Sequence, residues 1–225
     1  MAIFSDGFES GDFTVWTGTS GTPTVQAVTK HHGTYAALMD TANDFVYKTW
    51  VGASDVYHRA YIRFTGLTSG TWVMFDDSIL TYWGVSILLS GGKYYWRIYD
   101  GWTLSYHVST SEVSSGVWYC VECRVLRDGG SAGEVRLYID GVSVVASTGL
   151  DNAGVCDKLS VCSWANDDDV YVDCVVVADT YIGTEAAGVT VKKGSNLSAT
   201  MTEMLNSKML FSIADRFPKL VPRRF

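Results

Sequence analysis

Proline is scarce in this chain, three in 225 residues, which excludes a Pro-rich disordered segment or a long stiff linker. No run approaches the roughly 20 apolar residues of a membrane-crossing helix. The opening MAIFSDGFESGDF has no basic start and no apolar stretch of signal length, so the expectation is folding in the cytoplasm without a secretion signal. An even cysteine count is also missing. The count is odd, five, at Cys120, Cys123, Cys156, Cys162 and Cys174. Cys120-x-x-Cys123 falls in a strand pattern, where residues three apart face opposite sides, which argues against a shared metal or a mutual disulfide. Buried free thiols acting as small hydrophobes are expected, as suits a reducing compartment.

The net charge of −7 is unevenly spread. Residues 187–225 hold Lys192, Lys193, Lys208, Arg216, Lys219, Arg223 and Arg224 against Glu203 and Asp215, a net +5, which leaves −12 on the rest. An acidic body has no general attraction for nucleic acid.

What is present is alternation. Apolar residues make up 47% of the chain, enough for a sizeable core. Between residues 24 and 177, period-two runs are separated by Gly, Ser, Asp and Asn. Strands are expected at 24–29, 34–40, 45–50, 56–64, 72–76, 82–89, 94–99, 103–108, 117–126, 134–139, 142–147, 158–163 and 170–177, with no helix among them. Asp140-Gly141 marks a tight hairpin. A dozen or so short strands at this spacing make an all-β sandwich or closed barrel. The last 40 residues change character. Thr200 and Glu203 match a capping box, and Met201, Met204, Leu205, Met209, Ile213 and Phe217 follow at helical spacing. Pro218 ends that helix, and a basic, apolar tail, KLVPRRF, completes the chain.

Two stretches resemble a known group. FSDGFESGDFTVWTGT with HHGTYAALMD resembles the opening of sugar-associated jelly rolls. GVWYCVECRVLRDGGSAGEVRLYIDGVSVV with VYVDCVVVADTYIG is similar to the closing half of the concanavalin A-like lectin/glucanase superfamily, laminin-G-like modules above all. The resemblance covers about residues 3–183. It implies two stacked antiparallel sheets, one concave, in residues 1–185, followed by the helix and extended tail of 186–225. Members bind glycans, cleave them, or serve as structural and adhesion modules. The Glu-x-Asp-x-x-Glu strand of the glucanases is absent, as are the Arg-x-Glu-x-Arg and Gln-x-His motifs of alginate lyases.

The off-core parity of several strands carries interleaved Tyr and Arg: Tyr57, Arg59, Tyr61 and Arg63; Tyr95, Arg97 and Tyr99; Arg124 with Glu122; and Arg136 and Tyr138 with Glu134. His107 takes the polar parity of its own strand. If these strands share a sheet, one face offers aromatic rings for sugar faces and guanidinium forks for carboxylates. That composition suits an acidic or sulfated glycan. The competing reading is ordinary cross-strand pairing on solvent-facing strands, for example Arg124–Glu134 or Glu122–Arg136. Polysaccharide lyases of the resembled fold need a carboxylate neutraliser and a proton shuttle. Arg97 or Arg59 would serve as the first, and Tyr95, Tyr61 or His107 as the second.

The resemblance further implies a structural calcium ion held by Glu9 and Asp173. The adjacent His31 and His32 point to opposite sides if the chain is extended, so a turn role is expected of them rather than shared ligation. His58 falls on core parity. The apolar C-terminal helix needs cover. Met204, Leu205, Met209, Ile213, Phe217, Arg223, Arg224 and Phe225 are expected to dock residues 196–225 on another copy of the chain or on another subunit. The combined expectation is a non-catalytic structural or adhesion subunit of a virion-like assembly that binds acidic glycan. A lyase acting on polyuronates is the alternative.

Overall fold

The structure is a computed structural model that describes residues 1–76, 83–164 and 168–185, with only the backbone of 162–164. The expected C-terminal helix and its docking residues, Met204, Leu205, Met209, Ile213, Phe217, Arg223, Arg224 and Phe225, lie outside the described residues.

Alternation dominates the described chain, and it produces strands. In order they are β1 (Ala2–Asp6), β2 (Gly18–Ser20), β3 (Thr24–Gln26), β4 (Ala36–Met39) and β5 (Asp44–Ala53). Then come β6 (Asp55–Phe64), β7 (Trp72–Asp76), β8 (Trp83–Ser90), β9 (Lys93–Asp100) and β10 (Ser105–Val113). The last are β11 (Trp118–Leu126), β12 (Gly133–Ile139), β13 (Val142–Leu150), β14 (Cys156–Trp164) and β15 (Val170–Ala178). No helix occurs among the described residues. They form two antiparallel sheets. The eight-stranded sheet runs β13-β12-β11-β6-β15-β4-β3, with β1 beside β15; the seven-stranded sheet runs β10-β9-β8-β7-β14-β5-β2. Strands β1 and β2 escape the periodicity argument. They are only five and three residues long, and their partners, β15 and β5, are remote in sequence.

The two inner faces share one core. On β12, Val135, Leu137 and Ile139 turn inward; on β6, Val56, Ala60, Ile62 and Phe64 do. The seven-stranded sheet answers with Val46, Met74, Trp83, Val85, Ile87, Trp96, Ile98 and Leu159. The Asp140-Gly141 hairpin takes the positive φ angles of its turn type, 51° and 81°. Cys123 faces the core and Cys120 the opposite side, where its Sγ approaches the Gly183 carbonyl. Cys120, Cys123 and Cys156 are buried free thiols.

His58 sits wholly inside, as its parity predicts. Its Nδ1 lies 3.3 Å from the Cys123 carbonyl, its ring packs 4.5 Å from that of Trp83, and its Nε2 has no hydrogen-bond partner among the described residues. A charge here would be stranded in an apolar interior, so burial drives its pKa down to about 3. The unfolded chain takes a proton near pH 6.5 that the folded chain refuses. Stability from this residue is therefore complete above about pH 6.5 and drains away as the pH falls from there toward about 3, with a slope of up to about 1.4 kcal/mol per pH unit. Denaturant unfolding at pH 7, 6 and 5 should show this slope in the wild type, and His58→Leu should flatten it by that amount. Parallel pH profiles for the two proteins would show the argument to be wrong.

Candidate functional site

The Tyr and Arg residues singled out in the sequence do not share a face. Tyr57, Arg59, Tyr61 and Arg63 on β6, Arg124 on β11, and Arg136 and Tyr138 on β12 lie on the outer side of the eight-stranded sheet. Tyr95, Arg97 and Tyr99 on β9 lie on the outer side of the seven-stranded sheet. The core separates the two groups. Parity alone says which residues leave the core, not which sheet they leave it from.

The outer side of the eight-stranded sheet is largely engaged by the protein itself. Residues 179–184 cross it as a strap. Glu122, 1% exposed, accepts the N–H of Ile182 at 2.9 Å and of Gly183 at 2.8 Å. Burial pushes its carboxyl pKa up, against the lowering effect of these two N–H bonds and of Arg59. Arg59, 4% exposed, donates to the carbonyls of Gly183 and Cys174 at 3.1 and 3.3 Å. Tyr181 packs between Tyr57 and Tyr138 and donates its hydroxyl to the Gly141 carbonyl. The remaining guanidiniums are also committed. Arg124 makes a two-pronged bond to Asp55 at 2.9 and 2.7 Å, which holds its pKa up. Arg136 does the same with Glu134 at 2.6 and 3.0 Å, which pulls the Glu134 carboxyl down. Arg63 donates to the Gly116 carbonyl and covers the Tyr171 ring.

His107 also departs from expectation. It pairs with the core residue Ile98, so it points between the sheets rather than with Tyr95 and Arg97. The positions on either side, Tyr106 and Val108, are the exposed ones. His107 Nε2 lies 3.9 Å from Asp100 Oδ2, an oxygen that accepts bonds from Thr103 and from Ser147 of the opposite sheet.

The outer side of the seven-stranded sheet is different. Register places Tyr106, Tyr99, Gly84, Phe75, Ser160, Tyr47 and Gly18 side by side, one per strand, from β10 to β2. The two glycines have a steric reason: any Cβ at Gly84 would overlap the Trp72 ring, and one at Gly18 the Tyr47 ring. Trp72 meets Tyr99 edge-on at 5.9 Å and tilts against Tyr106 at 6.2 Å; Tyr99 and Tyr106 lie 4.9 Å apart. Farther along, Phe45 contacts both Phe75 and Tyr47, and Lys158 sits 4.7 Å from the Tyr47 ring centre. Sequence parity found Tyr95, Arg97 and Tyr99 but not Trp72, Phe75, Tyr47 or Tyr106. The glycines opposite them are the local signal that was there to read.

Arg97 lies on this face too, on β9 beside the edge strand β10. Its Nε donates to Ser86 Oγ at 2.8 Å, and its guanidinium lies 4.1 Å from the Tyr106 ring centre. Among the described residues no carboxylate pairs with it. It is half-buried, and that burial lowers its pKa, with the Tyr106 hydroxyl a smaller opposing influence. Beside it Tyr95, with Val108, Ser109 and Glu112, lines a groove of about 490 Å³. Glu112 is itself paired with Lys93 at 2.6 Å.

The two acids expected to hold calcium flank one loop. Glu9 accepts the N–H groups of Thr34 and Tyr35 at 2.9 and 3.2 Å. Asp173, fully buried, takes those of His31 and His32 on Oδ2, both at 2.9 Å, and that of Cys174 on Oδ1 at 2.7 Å. Calcium requires six to eight oxygen ligands. Here the carboxylate oxygens face backbone N–H groups, so the described arrangement fits loop anchoring better than a calcium shell.

No protein-family model matches the chain, and no curated protein matches it. Solved structures do. Cellulose induced protein, Cip1, is 18% identical, with a TM-score of 0.61 over 81% of this chain and 100% of that one. An endo-β-1,4-glucuronan lyase from the fungus Trichoderma reesei is 14% identical, with a TM-score of 0.58 over 80% of this chain and 96% of the other. Domain 4 of AbnA, an extracellular GH43 arabinanase from Geobacillus stearothermophilus solved with arabinotriose, is 14% identical, with a TM-score of 0.53 over 78% and 93%. At these identities the likeness shows the fold: a two-sheet jelly-roll β-sandwich, consistent with the concanavalin A-like group.

The strap can be tested directly. Glu122→Ala leaves the Ile182 and Gly183 amides without their acceptor and should cost about 1–3 kcal/mol of stability. Hydrogen exchange should then accelerate at those two amides while the core strands stay protected. Unchanged protection there would show that the strap does not depend on Glu122.

Proposed function

We propose that the outer face of the seven-stranded sheet binds an acidic polysaccharide. Arg97 carries this reading: a half-buried guanidinium that, among the described residues, has a hydroxyl and a ring for company but no counter-charge. A carboxylate or sulfate from outside would supply one, through the two guanidinium nitrogens that Ser86 leaves unused. Trp72, Tyr99 and Tyr106 beside it are flat amphipathic surfaces on which a sugar ring can lie. The likeness in fold to a glucuronan lyase supports an acidic polysaccharide, and the likeness to an arabinanase domain solved with arabinotriose, a neutral sugar, supports a carbohydrate ligand in general.

The broader reading is a binding module without catalysis, acting as a structural or adhesion subunit of a larger, virion-like assembly. The apolar and basic pattern of residues 196–225 and the uneven charge support it. A second reading is favoured by the contact of Arg97 with Tyr106. In a polyuronate lyase Arg97 would neutralise the sugar carboxylate, and a deprotonated tyrosine oxygen would take the proton from the adjacent carbon and hand it on to the leaving oxygen. The C–O bond to the leaving sugar would then break as a carbon–carbon double bond forms.

Binding to polyuronates and to a neutral glucan should be compared by calorimetry. The acidic polymer should bind in preference, and Arg97→Gln and Tyr106→Ala should each weaken it roughly tenfold. Equal binding of neutral and acidic polymers, or indifference to Arg97→Gln, would sink the proposal. In the same samples, ultraviolet absorbance from an unsaturated product, abolished by Tyr106→Phe, would establish the lyase. Binding without such absorbance leaves the module non-catalytic.

A further inference from the structure

We propose that His31, His32 and Cys174 form a binding site for a zinc-class cation on the opposite side of the molecule from the glycan face. Their ligand atoms, two imidazole nitrogens and a thiol sulfur, all lie within 4.8 Å of one another. Tetrahedral zinc with bonds near 2.1 Å to nitrogen and 2.3 Å to sulfur places its ligand atoms about 3.3–3.8 Å apart. Small side-chain rotations therefore suffice to close the set. The donor set is soft to borderline, which selects zinc over calcium or magnesium. Three protein ligands leave a fourth position for water.

The adjacent histidines escape the extended-chain argument because the chain is not extended there. Asp173 Oδ2 gathers both of their backbone N–H groups at 2.9 Å. The two rings then turn toward each other, with Nδ1 atoms 2.6 Å apart. At that distance one ring donates its Nδ1–H to the other, and a metal ion would take the place of that proton as the rings move slightly apart. The His31 ring is held in place by stacking on Tyr61, 3.7 Å between centres and 18° between planes. Its freedom to rotate away is limited before any ion arrives.

Cys174 reaches the site through a fault in its strand. The pairing of β15 with β6 slips between Asp173, opposite Tyr61, and Val176, opposite Arg59. In a regular strand residue 174 would follow the outward Asp173 into the core. The extra residue lets Val175 take the core position, fully buried, and leaves Cys174 half-buried at the surface. The cost is local: Cys174 has a φ of 50°, a region few non-glycine residues occupy. A strained backbone that redirects a thiol toward two histidines is what a built ligand set requires. Bound metal would pin the loop of residues 31–34 to β15.

The test uses the full chain, kept reduced and stripped with a chelator. Titration with zinc should show one site tighter than about 10 µM. Cobalt(II) should give the tetrahedral visible bands and a thiolate charge-transfer band in the near ultraviolet. Cys174→Ser should abolish the charge-transfer band, and His32→Ala, an exposed position, should weaken zinc at least tenfold and remove the rise in Tm that zinc gives the wild type. The proposal is overturned if zinc does not bind, if the charge-transfer band survives in Cys174→Ser, or if calcium at matched concentration displaces cobalt.

Discussion

Two sheets can share a core only if every strand sends alternate side chains into it, and this constraint governs the whole molecule. It assigns each strand residue to the interior or to an outer face. It also makes mistakes of position expensive: a polar group sent inward must be neutralised or bonded. His58 shows the first remedy, held neutral between Trp83 and the Cys123 carbonyl. Asp100 shows the second, its carboxylate satisfied by Trp102, Thr103 and, across the sheets, Ser147.

The constraint creates two outer faces and says nothing about how each is used. The strap decides that. Glu122 and Arg59 draw residues 182 and 183 down on the eight-stranded sheet, and Arg124 and Arg136 find carboxylates close by. That face is largely an internal interface, its guanidiniums bonded to carboxylates or to backbone carbonyls. The seven-stranded face keeps an uncompensated Arg97 among aromatic rings, and strand glycines make room for those rings to lie flat across the backbone. The same residue types, on strands of the same pattern, thus end in different chemical states according to what lies over them.

The loop at His31 and His32 follows a third logic, in which a single carboxylate organises a turn. Asp173 is buried, and three backbone N–H groups and the Cys174 thiol donate to it. Its bonds fold the two histidines toward one another, and the bulge that follows it presents Cys174 to the same place. Regular alternation builds the sandwich, and a local departure from it assembles this cluster.

Alternation and turn chemistry were enough, from sequence alone, to determine an all-β domain of sandwich or barrel type, the inward sets of β6, β11 and β12, the core place of His58, the burial of Cys120, Cys123 and Cys156 and the Asp140-Gly141 hairpin. These are properties of a strand and its immediate neighbours, so a local pattern encodes them. Tertiary structure decided the rest. Which sheet received β9 rather than β6, and hence that Arg97 and Arg59 lie on opposite sides, depends on pairings between distant segments. So do the inward turn of His107 and the meeting of residue 31 with residue 174. Period-two patterning carries no record of which strand pairs with which, because the backbone bonds that join strands are the same for every sequence.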